Sequence, residues 1–137
     1  MNIKIYTDGA SRNNPGESAS GYLILDNNEE ILECFYNGIK TNNEAEYTAV
    51  ILAMEKLISL KKEKNNLVFF SDSKLMVNQL CGRYKIKKPE LIKLNEKALL
   101  LSKRFLSCEF NSVLRTEKNI ARVDYALNIL LDKSAKT

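Results

Sequence analysis

The sequence predicts a mixed α/β domain: one five-stranded sheet, antiparallel at its start and parallel further on, flanked by helices. Three observations carry this. Three alternating segments near the N-terminus are separated by short turn-forming stretches, which reads as an antiparallel meander. The run Leu67-Val68-Phe69-Phe70-Ser71 is wholly apolar but for its last residue and too short for a helix. Such strands are buried on both faces and pair in parallel. Segments of helical period stand between the meander and this strand and again after it, so the connection into 67–71 is a strand–helix–strand crossover.

In chain order, residues 2–8 form the first strand, rich in Ile and Tyr. Residues 9–16, Gly-Ala-Ser-Arg-Asn-Asn-Pro-Gly, read as a loop. Strands follow at 19–26 and 30–37, joined by a hairpin loop at Asp26-Asn27-Asn28-Glu29. Thr41 or Asn42 is placed as the N-cap of a helix running to about Lys61, and Glu44 completes a capping box with Thr41. A short helix is expected over 73–81, ended by Gly82. Pro89 suits the first turn of a helix over 89–104. Residues 107–114 alternate as a fifth strand, and a last helix covers 121–133. No repeat, low-complexity stretch or linker interrupts residues 1–137, which read as a single domain.

The composition is that of an ordinary globular chain: 137 residues, 45% apolar, 28% charged, net charge +4. No apolar run reaches the roughly 18 residues that a membrane helix needs, and the N-terminus lacks a signal-type stretch. A cytoplasmic monomer that does not bind membranes is therefore expected. Three widely spaced cysteines form no C-x-x-C pair and read as buried thiols in a reducing compartment. The absence of histidine excludes Ser-His-Asp and Cys-His catalysis and His-based zinc sites.

What remains for chemistry is acid. Asp8 caps the apolar run of the first strand, and Asp72 ends the buried one. Glu46 lies on the apolar stripe Ala49, Val50, Ala53 and Leu57. Asp124 lies above Leu127, Asn128 and Leu131 on the last helix. If the strands of Asp8 and Asp72 are parallel neighbours, both carboxylates emerge at the sheet edge where open α/β sheets bind ligands. Each acid has a plainer reading: Asp8 as a turn residue, Asp72 as a helix N-cap, Glu46 as a partner of the helix dipole, Asp124 as a cap or partner of Arg122. Taken together, four like charges in one place require cations. Hard carboxylate oxygens suit Mg²⁺ or Mn²⁺, and two such ions also clamp a phosphodiester.

The segments Tyr6-Thr7-Asp8-Gly9-Ala10-Ser11-Arg12-Asn13-Asn14-Pro15-Gly16, Thr41-Asn42-Asn43-Glu44-Ala45-Glu46-Tyr47 and Ser71-Asp72-Ser73 resemble type 1 ribonuclease H. The likeness extends to Val77-Asn78-Gln79-Leu80 and Asp124-Tyr125-Ala126-Leu127-Asn128, and so over nearly the whole chain. It implies the ribonuclease H fold and Mg²⁺-dependent hydrolysis of the RNA strand in an RNA–DNA hybrid, with two ions at work and Mn²⁺ as a substitute. By position it implies Asp8, Glu46, Asp72 and Asp124 as catalytic metal ligands. It implies Asn14, Asn42 and Asn43 as contacts to the hybrid, and Thr41 as a neighbour of a DNA phosphate. The basic loop holding Lys85 and Lys87, and Lys74 after the Asp-Ser pair, are added as substrate-binding residues.

The chain also departs from the family pattern. Residues 111–121 lack the family's loop histidine, and Arg115, Glu117 or Lys118 fill that stretch. Proton transfer or product release, which that histidine is thought to serve, falls to no residue identified from the sequence. Asn119 stands one residue too far from Asp124, Val123 replaces a small residue, and Lys74 replaces an amide. No hybrid-binding domain precedes the first strand, so weak processivity is expected. A non-catalytic hybrid- or double-stranded-RNA-binding module and a DNA nuclease of related fold are the alternatives.

Overall fold

The computed structural model describes residues 2–135. Its elements follow in the order β1 (Asn2–Ser11), β2 (Gly16–Asp26), β3 (Glu29–Lys40), α1 (Asn42–Ser59), β4 (Asn66–Ser71), α2 (Lys74–Leu80), α3 (Pro89–Ser102), β5 (Ser107–Ser112) and α4 (Lys118–Ala135). The five strands make one sheet in the order β3-β2-β1-β4-β5. β1, β2 and β3 pair antiparallel, whereas β4 pairs parallel with both β1 and β5. This is the mixed sheet expected from the sequence.

The period-2 alternation sorts side chains to the two faces. Ile3, Ile5, Tyr22, Leu67 and Phe69 face α1, α2 and α3, where Val50, Met54, Leu57, Met76 and Leu91 complete one core. Tyr6, Ala19 and Leu23 face the other way and pack on Ile120, Val123, Leu127 and Leu131 of α4. Helices therefore cover both faces, and α1 and α4 each bring residues to the carboxyl edge of β4. No helix among the described residues is long and apolar enough to cross a membrane.

Several boundaries differ from the sequence reading, for identifiable reasons. β1 does not stop at Asp8, because Gly9, Ala10 and Ser11 continue the ladder opposite Ser20, Ala19 and Ser18. The expected 9–16 loop shrinks to a tight turn with Asn13 at φ 63°, and β2 begins at Gly16. β3 lengthens to match, past an irregularity at Ser18/Ala19. β5 ends at Ser112 because its partner β4 ends at Ser71, the last paired residue. α1 and α3 end about two residues early. α4 begins at Lys118 rather than 121, since the Glu117 carboxylate accepts from the N–H groups of Asn119 (2.6 Å) and Ile120 (3.0 Å). Thr41 caps α1 through the full capping box: its hydroxyl accepts from Glu44 N–H (3.1 Å), and Glu44 accepts from Thr41 N–H (3.0 Å).

Candidate active site

The register of β1 against β4 sets the site. Tyr6↔Phe70 is the last parallel pair. Asp8 and Asp72 each lie two residues beyond it, so both leave the sheet at the same edge. Glu46 joins them because α1 lies directly on β1. A Cβ added to Gly9 would stand 2.3 Å from the Ala45 carbonyl carbon and 2.5 Å from the Glu46 nitrogen. Only glycine permits that approach. One carboxylate oxygen each from Asp8, Glu46 and Asp72 lie within 4.8 Å of one another. Asp124 arrives from α4 on the opposite face. It stands outside this tight trio but lines the same cleft of about 400 Å³.

The plainer readings of the four acids do not describe what is seen. Asp8 accepts from Gly9 N–H (2.9 Å) but sits within a continuing strand, not a turn. Ser73, not Asp72, caps α2. Glu46 is buried, 8% exposed, facing the other acids. Arg122 pairs with Glu30 at 2.8 Å, not with Asp124. A protein cation does attend the acids. Arg115 lines the cleft, and its charge favours the ionised form of Asp72.

Burial and mutual repulsion shape the electrostatics. Burial foremost, then the charges of Asp72 and Asp124, push Asp8 up to about 8. Burial, Asp8 and Asp72 likewise raise Glu46 well above the ordinary carboxylate range. Burial raises Asp72 too, against its own backbone N–H and Arg115. Carboxyl–carboxyl contacts join Asp8 to Asp124 and Glu46 to Asp72, and each favours a proton on the first-named group. Among the described residues no N–H or O–H donates to Glu46 Oε1 or Asp72 Oδ1, although both atoms are buried. Orphaned buried carboxylate oxygens are costly unless a cation meets them. Three converging hard oxygens, from a trio in which two residues each carry a buried oxygen without a donor, fit a divalent ion of the Mg²⁺ type.

Of the amide residues expected to touch substrate, Asn42 lines this cleft. Ser11 N–H donates to Asn42 Oδ1 (2.7 Å), and Asn42 N–H donates to Asn14 Oδ1 (2.9 Å). Both carbonyl oxygens are thus engaged within the protein, which turns the two amide NH₂ groups into available donors. The Thr41 hydroxyl is used in capping. Asn43, Lys85 and Lys87 come together with Leu75, Gln79 and Leu91 along a separate groove of about 270 Å³. Lys74 is exposed and lines a third pocket beside Asp72. Arg12 went unidentified in the sequence. Its guanidinium crosses the cleft wall to Asn128 Oδ1 (3.0 Å) and Asp132 (3.0 Å), tying the β1–β2 turn to α4. No local pattern marks a contact spanning the length of the chain.

Comparison with known proteins agrees with this geometry. A family model described as reverse transcriptase-like matches residues 6–123. The bifunctional protein Rv2228c of Mycobacterium tuberculosis is 32% identical over 140 residues, covering 100% of this chain and 37% of that protein. Ribonuclease HI of Halobacterium salinarum is 31% identical over 132 residues, 95% of this chain and 64% of the relative. The chain thus spans less than two thirds of either relative. Among solved structures, ribonuclease H1 from Halobacterium salinarum superposes with a TM-score of 0.88 at 30% identity, covering 97% of this chain and 99% of that one. LC11 ribonuclease H1, solved in complex with an RNA/DNA hybrid, gives 0.89 at 35% identity with the same coverage.

Proposed function

This chain belongs to the ribonuclease HI family, and from that premise we propose that it is a metal-dependent endoribonuclease that hydrolyses the RNA strand of RNA–DNA hybrids, leaving a 5′-phosphate and a 3′-hydroxyl. The observation that carries the reading is the convergence of Asp8, Glu46 and Asp72 oxygens within 4.8 Å at the sheet edge. Structural ion pairing does not account for this cluster, since no salt bridge among the described residues involves any of the three.

In this reading Asp8, Glu46, Asp72 and Asp124 hold two Mg²⁺ ions, with Mn²⁺ able to replace them. Such ions supply Lewis-acid stabilisation of the charge that develops on the phosphate oxygens. The protein's own groups orient the hybrid. The amides of Asn14 and Asn42, each pinned through its carbonyl, donate toward 2′-hydroxyls in the wide minor groove, the feature that separates RNA from DNA. Asn43 extends this contact. The capping box fixes Thr41 beside the path of a DNA phosphate, and Lys85 and Lys87 neutralise phosphates further along that strand. Lys74 meets the hybrid on the far side of Asp72.

The test is Asp72→Asn. Cleavage of a labelled hybrid in Mg²⁺ or Mn²⁺ is expected to vanish, while hybrid binding, read by fluorescence anisotropy, survives. Turnover retained in that variant, with all metal contamination accounted for, sinks the proposal.

A further inference from the structure

Beside the acid cleft lies a pocket of about 620 Å³ lined by Asp72, Lys74, Ser112, Val113, Leu114 and Arg115. It shares Asp72 and Arg115 with the cleft. Two cations thus stand at one opening, contributed by α2 and by the loop after β5. Neither Lys74 nor Arg115 makes a salt bridge or a side-chain hydrogen bond among the described residues. Two positive groups held about one space repel each other unless an anion comes between them. Asp72, the one acidic residue among the described residues that line the pocket, is turned toward Asp8 and Glu46. Leu114, 78% exposed, gives the pocket an apolar rim suited to a ribose rather than to bulk water.

The position of the pocket narrows the anion. Leu75, the residue after Lys74, lines the opposite groove with Lys85 and Lys87, so the start of α2 divides two basic surfaces. The surface continuous with the acids belongs to the strand that is cut. We propose that Lys74 and Arg115 clamp a phosphate of the RNA strand adjacent to the one over the acids. This rests on the nuclease reading above. The two residues bind and position; they are not catalytic residues.

Hybrid binding by a Glu46→Gln protein, which keeps both cations and is not expected to cleave, tests the clamp. Hybrids carry a single uncharged methylphosphonate linkage, walked along the RNA strand or along the DNA strand. One RNA-strand position is expected to weaken Glu46→Gln about tenfold, the worth of a hydrogen bond to a charged group. The same position has no effect once Lys74→Gln and Arg115→Gln are added, and the salt slope falls by about one to two. Arg115→Lys with Lys74 intact keeps the sensitive position. Thermal melts of the variants stay within a few degrees of the parent, since neither side chain makes a salt bridge or a side-chain hydrogen bond among the described residues. An unchanged footprint with hybrid binding intact overturns the clamp and leaves the nuclease reading standing, as does a footprint that moves only on the DNA strand. A Glu46→Gln protein that prefers duplex DNA to hybrid overturns both.

Discussion

Replacing Asp8 by Asn, in protein freed of divalent ions, is expected to make the fold more stable. Asp8 is 5% exposed, and its carboxyl is pushed up to about 8 by burial and then by Asp72 and Asp124. At pH 7 the unfolded chain carries this group ionised, whereas the folded one holds a proton. Placing a proton at pH 7 on a carboxyl whose ordinary pKa is 3.8 costs about 4 kcal/mol. Asn avoids that cost, keeps the shape, and keeps the oxygen that accepts from Gly9. Water in the open cleft and the interaction of Asp8 with its neighbouring carboxyls reduce the gain to about 2 kcal/mol, or ~6 °C in Tm for a chain of this size.

The sign follows from linkage. The folded state binds more protons than the unfolded one between pH 3.8 and about 8, so stability falls as pH rises through that window. Hence the advantage of Asp8→Asn is absent below pH 4, grows across neutral pH and levels off above 8. Urea unfolding followed by circular dichroism at pH 4, 6, 7 and 8.5 in chelator measures it. Adding Mn²⁺ stabilises the native protein, by about 2.7 kcal/mol at a hundred times Kd, and stabilises the variant less. A gain independent of pH, or an Asn variant weaker than the parent at pH 8.5, refutes the idea that repulsion and burial hold the proton on Asp8.

Three further outcomes are open to measurement. Gly9→Ala drives a methyl into the Ala45 carbonyl and is expected to cost about 3 kcal/mol by urea midpoint; unchanged stability denies the close backbone approach. Tyr47→Phe removes the hydroxyl that donates to Gln79 (2.7 Å) and accepts from Asn95 (3.2 Å) inside the core. It costs about 2 kcal/mol, whereas Tyr125→Phe, at a side chain 70% exposed, costs next to nothing. Replacing Lys85, Lys87 and Lys88 together by Ala lowers the salt slope of hybrid binding by roughly one for each phosphate that is no longer neutralised; an unchanged slope removes that loop from the interface.

Much of this molecule is legible along the chain because local chemistry and global structure agree. Alternation gave the meander, the Thr41/Glu44 pair gave the start of α1, and the unbroken apolar run 67–70 gave a parallel inner strand. The convergence of the acids followed from placing Asp8 and Asp72 on neighbouring parallel strands. What stayed hidden has physical reasons too. Gly9-Ala10-Ser11 and Gly16-Glu17-Ser18 look like turn material, yet they are ladder, because pairing uses backbone that carries no side-chain signature. The start of α4 is capped by a Glu, outside the usual Ser, Thr, Asp and Asn set. Arg115 sits in a segment with no periodicity, so only the path of the loop after β5 reveals that it faces Asp72.

The seat of Glu46 on Asp8 is fixed by main chain against main chain, with a hydrogen atom at Gly9 as the only spacer. Sequence drift elsewhere therefore has latitude. Ile5, Val50 or Met54 can exchange for other apolar residues of similar volume, and the interval between the two carboxylates is maintained without them. Position 9 has no such freedom, because any side chain there would push the main chain of α1 off the strand that carries Asp8.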